Sequence, residues 1–116
     1  MDGQARSQGL GTRTVDPAEQ RRATRELVDF DTRTTSHEGF SEVRVVNISP
    51  LGLMARTDAD MSRGDRLIFE LPHVRTVHAI VRWVEHGRIG TEFLRPIGDE
   101  DYRLMLAFMP RRQRDW

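Results

Sequence analysis

The chain has 116 residues, room for one domain and not two. Its 18 basic residues are all Arg and are balanced by 18 acidic ones, so the formal net charge is zero. A general polyanion binder would need a basic excess to gain from counterion release, and that class is disfavoured. With no Cys, a disulfide scaffold, a zinc-thiolate site and a cysteine nucleophile are excluded.

Hydrophobic residues make up 37%, below the usual share, so part of the chain is expected to lie outside a packed core. No apolar run approaches the ~18 residues of a membrane span, and no signal-like stretch opens the chain. These features predict a soluble, cytoplasmic protein without membrane insertion.

The opening segment MDGQARSQGLGTRTVDPAEQ has only Leu10 and Val15 as sizeable aliphatic residues, and reads as a mobile arm. Arg21-Arg22-Ala23-Thr24-Arg25 then makes a locally basic junction. From Glu26 the period becomes two, with Val28, Phe30 and Thr32 alternating against Leu27, Asp29, Asp31 and Arg33: a half-buried strand. Thr34 to Gly39 reads as a polar loop, and Glu42–Ile48 as a β-branched strand. Ser49-Pro50-Leu51-Gly52 is turn chemistry, and Leu53–Thr57 the return strand.

Asp58–Asp65 is a polar connection anchored by Met61, followed by a strand over Arg66–Leu71 that Pro72-His73 breaks. Val74–Glu85 reads as a long strand with Val77, Ala79, Val81 and Trp83 on one face, which predicts Trp83 in the core. His86-Gly87 turns the chain into Arg88–Leu94. Six short antiparallel strands with hairpin-length links predict a mainly all-β fold, a small closed or nearly closed barrel. The period then switches to that of a helix after Asp99-Glu100-Asp101. Tyr102, Met105, Leu106 and Met109 form its stripe, widened by Leu104 and Phe108, and Pro110 ends it before Arg111, Arg112 and Arg114.

Two clusters carry chemistry. Arg21 and Arg25, four residues apart, can bring two guanidinium forks onto one ligand, pairing with phosphate or with a guanine edge. Asn47 and Ser49 share strand parity at the turn that Gly52 completes, so an amide oxygen and a hydroxyl could accept from a purine edge. Gly52 would allow close backbone approach or a positive φ. Alone, the first cluster is also an ordinary solvated basic run and the second an ordinary turn.

In this order, RxxxR before the first strand and [DN]xSxxG at a strand turn, the chain resembles the PilZ domain family, the bacterial receptor module for cyclic di-GMP. Val81-Arg82-Trp83, Gly90-x-x-Phe93 and the terminal helix are similar to that family as well. The resemblance implies a six-stranded antiparallel β-barrel of PilZ type over residues 20–110, with a C-terminal helix, a flexible arm over 1–19 and a basic tail over 111–116. It implies that Arg21 and Arg25 clamp phosphates and guanine, and that Asn47, Ser49 and Gly52 receive a guanine. Arg22 could take a further phosphate. Asn47 stands where many members carry Asp, a stronger acceptor.

The implied function is a non-enzymatic receptor in second-messenger signalling, with cyclic di-GMP as ligand and no cofactor. It would order its arm on binding and signal to an unidentified downstream protein. The alternative is a PilZ-like interaction adaptor that does not bind the nucleotide. A small barrel for single-stranded DNA or RNA would need exposed aromatic platforms and a basic groove, and the aromatics fall mostly on apolar faces. The four His show no metal-ligand spacing, so no metal is expected. Ser49 lacks a nucleophile elbow, so no catalytic residue is expected. Asp29 and Asp31 read as solvated edge charges.

Overall fold

Alternating apolar residues along six strands turn one side of each strand inward, and the sheet they form closes on itself. The computed structural model describes residues 24–111. The strands are β1 (Glu26–Ser36), β2 (Gly39–Ser49), β3 (Gly52–Arg56), β4 (Arg66–Leu71), β5 (Arg75–Glu85) and β6 (Arg88–Phe93), followed by α1 (Asp99–Leu106). All pairings are antiparallel, in the order β1-β2-β3-β6-β5-β4. Val28, Val45, Ile48, Leu53, Leu67, Phe69, Val81 and Ile89 fill the interior with almost no solvent exposure.

β1 meets β4 only at one end, through Thr34–Phe69 and Thr35–Ile68. At its other end the segment after α1 lies against it. The Asp29 N–H donates to the Pro110 carbonyl at 2.9 Å, Val28 and Arg111 form a bridge, and Arg111 pairs with Glu26. The opening between β1 and β4 is thus covered where an unpaired strand edge would otherwise face water. α1 sits over the same end. Met105 and Met109 are buried in the core, and the Tyr102 hydroxyl donates to the Ile48 carbonyl at 3.0 Å.

Several expectations need correction. The segment Thr34–Gly39 is not a loop: β1 runs to Ser36 and β2 starts at Gly39, leaving a two-residue turn at His37-Glu38. Polar residues serve there because their hydroxyls are satisfied within the barrel. Thr34 is buried and donates to the Ile68 carbonyl at 3.1 Å, while Thr32 donates to that of Glu70 at 2.6 Å. Asp29 and Asp31 are exposed charges, as expected, and they are also ion-paired. Asp31 is paired across the sheet with Arg44, whose Nε lies 2.8 Å from Asp31 Oδ1 and 3.4 Å from Asp29 Oδ1.

Phe69 and Phe93 are buried as their spacing implies, but other aromatic residues are not. Phe108 and Phe40 are each 67% exposed, and Leu104 is also outside the core. The helix ends at Leu106, yet Met109 still reaches the core beside Met105, and only Leu104 and Phe108, expected to widen the stripe, stay outside it. Phe40 instead supports the Arg33 guanidinium 4.9 Å above its ring. Trp83, expected inside, is 41% exposed on the outer wall.

Candidate ligand-binding site

Trp83 leaves the core because of a bulge. Val81 opposes Thr91 and Trp83 opposes Gly90, so β5 spends two residues where β6 spends one. The extra residue reverses the inside–outside alternation beyond Val81. The same device acts in β2, where Val45 opposes Ala55 and Asn47 opposes Met54. Val45 and Ile48 therefore both face the core, and Asn47 between them turns outward.

The two bulges align one row of residues across the outside of the barrel. Leu27 opposes Asn47, Asn47 opposes Met54, Met54 opposes Gly90, and Gly90 opposes Trp83. The Trp83 indole lies over Gly90 so closely that a Cβ there would come within 2.0 Å of the ring nitrogen. Asn47 Nδ2 lies 3.8 Å from Met54 Sδ. The result is an apolar strip with one amide in it, beside the start of β1.

Arg25 reaches into this strip, its Nη1 donating to Asn47 Oδ1 at 2.8 Å. The last residue of the first motif and the first residue of the second, 22 positions apart in sequence, are therefore in direct contact. Arg21 and Arg22 lie outside the described residues.

Ser49 and Gly52 close the turn between β2 and β3. Ser49 is buried, and its Oγ accepts the Leu51 N–H at 3.1 Å. That bond occupies one lone pair of a hydroxyl that has a second acceptor position and one donor. The turn is also held from the side: Ile97 N–H donates to the Pro50 carbonyl and Phe93 N–H to that of Leu51, both at 2.9 Å. Gly52 is needed for close approach, but to protein: a Cβ there would lie 2.1 Å from the Thr91 carbonyl oxygen. Beside it, Glu92 opposes Gly52 and accepts from Arg82 Nε at 2.8 Å.

Two ionisable groups near the site are shifted. The hydrogen bond that Arg44 donates to Asp31, and then the charges of Asp31 and Asp29, hold the Arg44 guanidinium above its ordinary range. The Tyr102 phenol is pushed up to about 12, first by burial and then by the Glu26 carboxylate, against smaller lowering by Arg111 and Arg25. Tyr102 stays neutral and a donor at physiological pH. Among the described residues no group of three His, Asp or Glu side chains is placed to hold a metal ion. His73 is used structurally, its Nε2 lying 3.0 Å from Asp101 Oδ1 and tying the β4–β5 turn to α1.

The PilZ domain profile matches residues 19–109, which takes in the whole barrel, α1 and both motifs. The chain belongs to the PilZ domain family. No curated protein matches it. PilZ domains generally bind cyclic di-GMP, and they are binding modules. In this PilZ domain Met54 and Trp83 join Asn47 on the outer strip, a placement that simple alternation hid for Trp83 by putting it inside. Among the described residues no helix is long and apolar enough to cross a membrane.

Proposed function

We propose that this PilZ domain is a non-enzymatic cytoplasmic receptor for cyclic di-GMP, a dianion bearing two guanines. The observation that carries the reading is the Arg25–Asn47 contact, which joins the two motifs on an exposed wall. A guanidinium with five donors can keep one on Asn47 and turn others to a phosphate or to the O6/N7 edge of guanine. Asn47 and Ser49 would read the purine edge, Gly52 would keep the turn flat, and Arg21 and Arg22 would supply further charge. The apolar strip of Met54 and Trp83 suits a flat base better than a solvated polar partner.

On this reading the ligand draws the residues preceding Arg25, which already touches Asn47, onto the barrel, and the composite surface of ligand, arm and wall is what a downstream protein recognises. Ordering those residues costs about 1–2 kcal/mol each, and charge-assisted hydrogen bonds return ~1.5–3 kcal/mol each. Four to six such bonds plus stacking leave a dissociation constant on the order of micromolar. Titration calorimetry with cyclic di-GMP, GTP and a short oligonucleotide tests this. Micromolar binding of the first alone is expected. Absence of binding would leave an interaction adaptor, and preference for the oligonucleotide a single-strand binder.

A further inference from the structure

A second row crosses the same outer wall, one pleat repeat from the Asn47 strip. Asp31 opposes Arg44, Arg44 opposes Arg56, Arg56 opposes Arg88, and Arg88 opposes Glu85. Three Arg thus stand directly opposite one another on β2, β3 and β6. Like charges in that relation repel and destabilise a sheet.

For Arg44 the repulsion is offset by Asp31 and Asp29, which hold its guanidinium. Among the described residues Arg56 and Arg88 have no such partner: neither takes part in an ion pair within 4.0 Å or a side-chain hydrogen bond. Glu85 stands across from Arg88, but its near neighbour is His86 Nε2 at 3.8 Å. Glu42 and Asp58 line the groove beside Arg56 without reaching it. Ala55 and Ile89, next to the two Arg, are buried in the core, so Arg56 and Arg88 both point outward.

We infer that Arg56 and Arg88 form a phosphate-binding site on the outer wall, distinct from both sequence motifs. Opposed residues on antiparallel strands have Cα atoms about 4.5–5.5 Å apart, which lets two guanidinium forks close on one tetrahedral group. A phosphate offers oxygens to both forks, whereas a carboxylate is satisfied by one. The site's place defines its use. Arg56 is two residues from Met54 and Arg88 two from Gly90, so the pair lies ~6.8 Å from the apolar strip, within reach of a ligand seated there. Resting on the receptor reading above, this makes the pair a second phosphate position for the same nucleotide. A site of this kind trades sheet stability for binding.

The test uses the full chain in two arms. In the first, pyrophosphate is titrated while the Arg side-chain Nε–Hε resonances are followed by NMR. Saturable shifts at Arg56 and Arg88, larger than at Arg63 and Arg103, are expected; their absence overturns the site. In the second, calorimetry with cyclic di-GMP compares the wild-type chain, R56Q/R88Q and the charge-matched control R63Q/R103Q at several salt concentrations. R56Q/R88Q should bind at least tenfold more weakly, with a shallower salt dependence and a melting temperature equal to or above that of the wild type. Binding within twofold of wild type overturns the placement. If the wild-type chain responds to pyrophosphate but not to the nucleotide, the receptor reading falls and the anion site stands.

Discussion

Arg25 and Asn47 share a 2.8 Å hydrogen bond across the first two strands of the barrel, although 22 residues separate them. The contact lies on the surface, so its worth to folding is small, ~0.2–1 kcal/mol at most. Arg25→Ala should therefore leave the melting temperature almost unchanged while weakening cyclic di-GMP binding by more than a hundredfold, the loss of about two charge-assisted hydrogen bonds. Calorimetry beside a thermal melt checks both halves. Normal binding by the variant would remove Arg25 from the site.

Asn47 distinguishes an acceptor from a spacer. Asn47→Ala should cost roughly 1–3 kcal/mol of binding. Asn47→Asp should keep or improve it, since a carboxylate is the stronger acceptor for both Arg25 and a guanine N–H edge. A tenfold loss for Asn47→Asp would show that this side chain does not accept from the ligand.

Gly52 answers to the fold before the ligand. Gly52→Ala drives a Cβ to 2.1 Å from the Thr91 carbonyl, against backbone that cannot give way. Loss of more than about 2 kcal/mol in urea unfolding is expected, from overpacking and from separation of β3 and β6. Ser49→Ala should be milder, about 0.5–1.5 kcal/mol, because it removes only the bond to Leu51 N–H. Near-native stability of Gly52→Ala would mean that the two strands are less closely paired than the structure has them.

Trp83 gives an optical readout of the outer strip. In a Trp116→Phe background, Gly90→Ala should push the indole off β6 and move its emission to longer wavelength. Cyclic di-GMP should quench Trp83 in the parent and much less in the Gly90→Ala variant. An emission unaffected by both would place the ligand elsewhere.

Tyr102 sets an alkaline limit on stability. Its folded pKa, about 12, lies above the ordinary value of 10.0, so the neutral phenol is favoured by folding. The stability it contributes is fully present below pH 10 and is lost as pH rises towards 12. Because the phenol is only half buried, the shift is discounted for screening to roughly 1–2 kcal/mol. The chain has no Lys or Cys and Tyr102 is its one Tyr, so no other side chain titrates in that window. Urea unfolding at pH 9 and 11.5 should differ for the wild type and be level for Tyr102→Phe. An equal fall in both would place the alkaline sensitivity elsewhere.

The sequence by itself determined what local physics can carry: six runs of period two, the switch to a helix at Asp99, the tight turn at Ser49–Gly52, and the order of the two motifs. Period and turn chemistry depend on near neighbours, and these survive in the folded chain. Tertiary structure alone decided which face several residues occupy. Alternation places Trp83 beside Val81 in the core, and one extra residue in β5 moves it out; a like extra residue in β2 turns Asn47 outward between Val45 and Ile48. A bulge is a property of a pair of strands, set by how β2 registers on β3 and β5 on β6, and no single segment encodes it. Closure likewise turned Thr34 and Thr35 from loop-like residues into barrel wall, because a second strand supplied carbonyls for the buried hydroxyl. The opposition of Arg44, Arg56 and Arg88 has the same origin: three charges spread over 45 residues of sequence become neighbours only when three strands come into register.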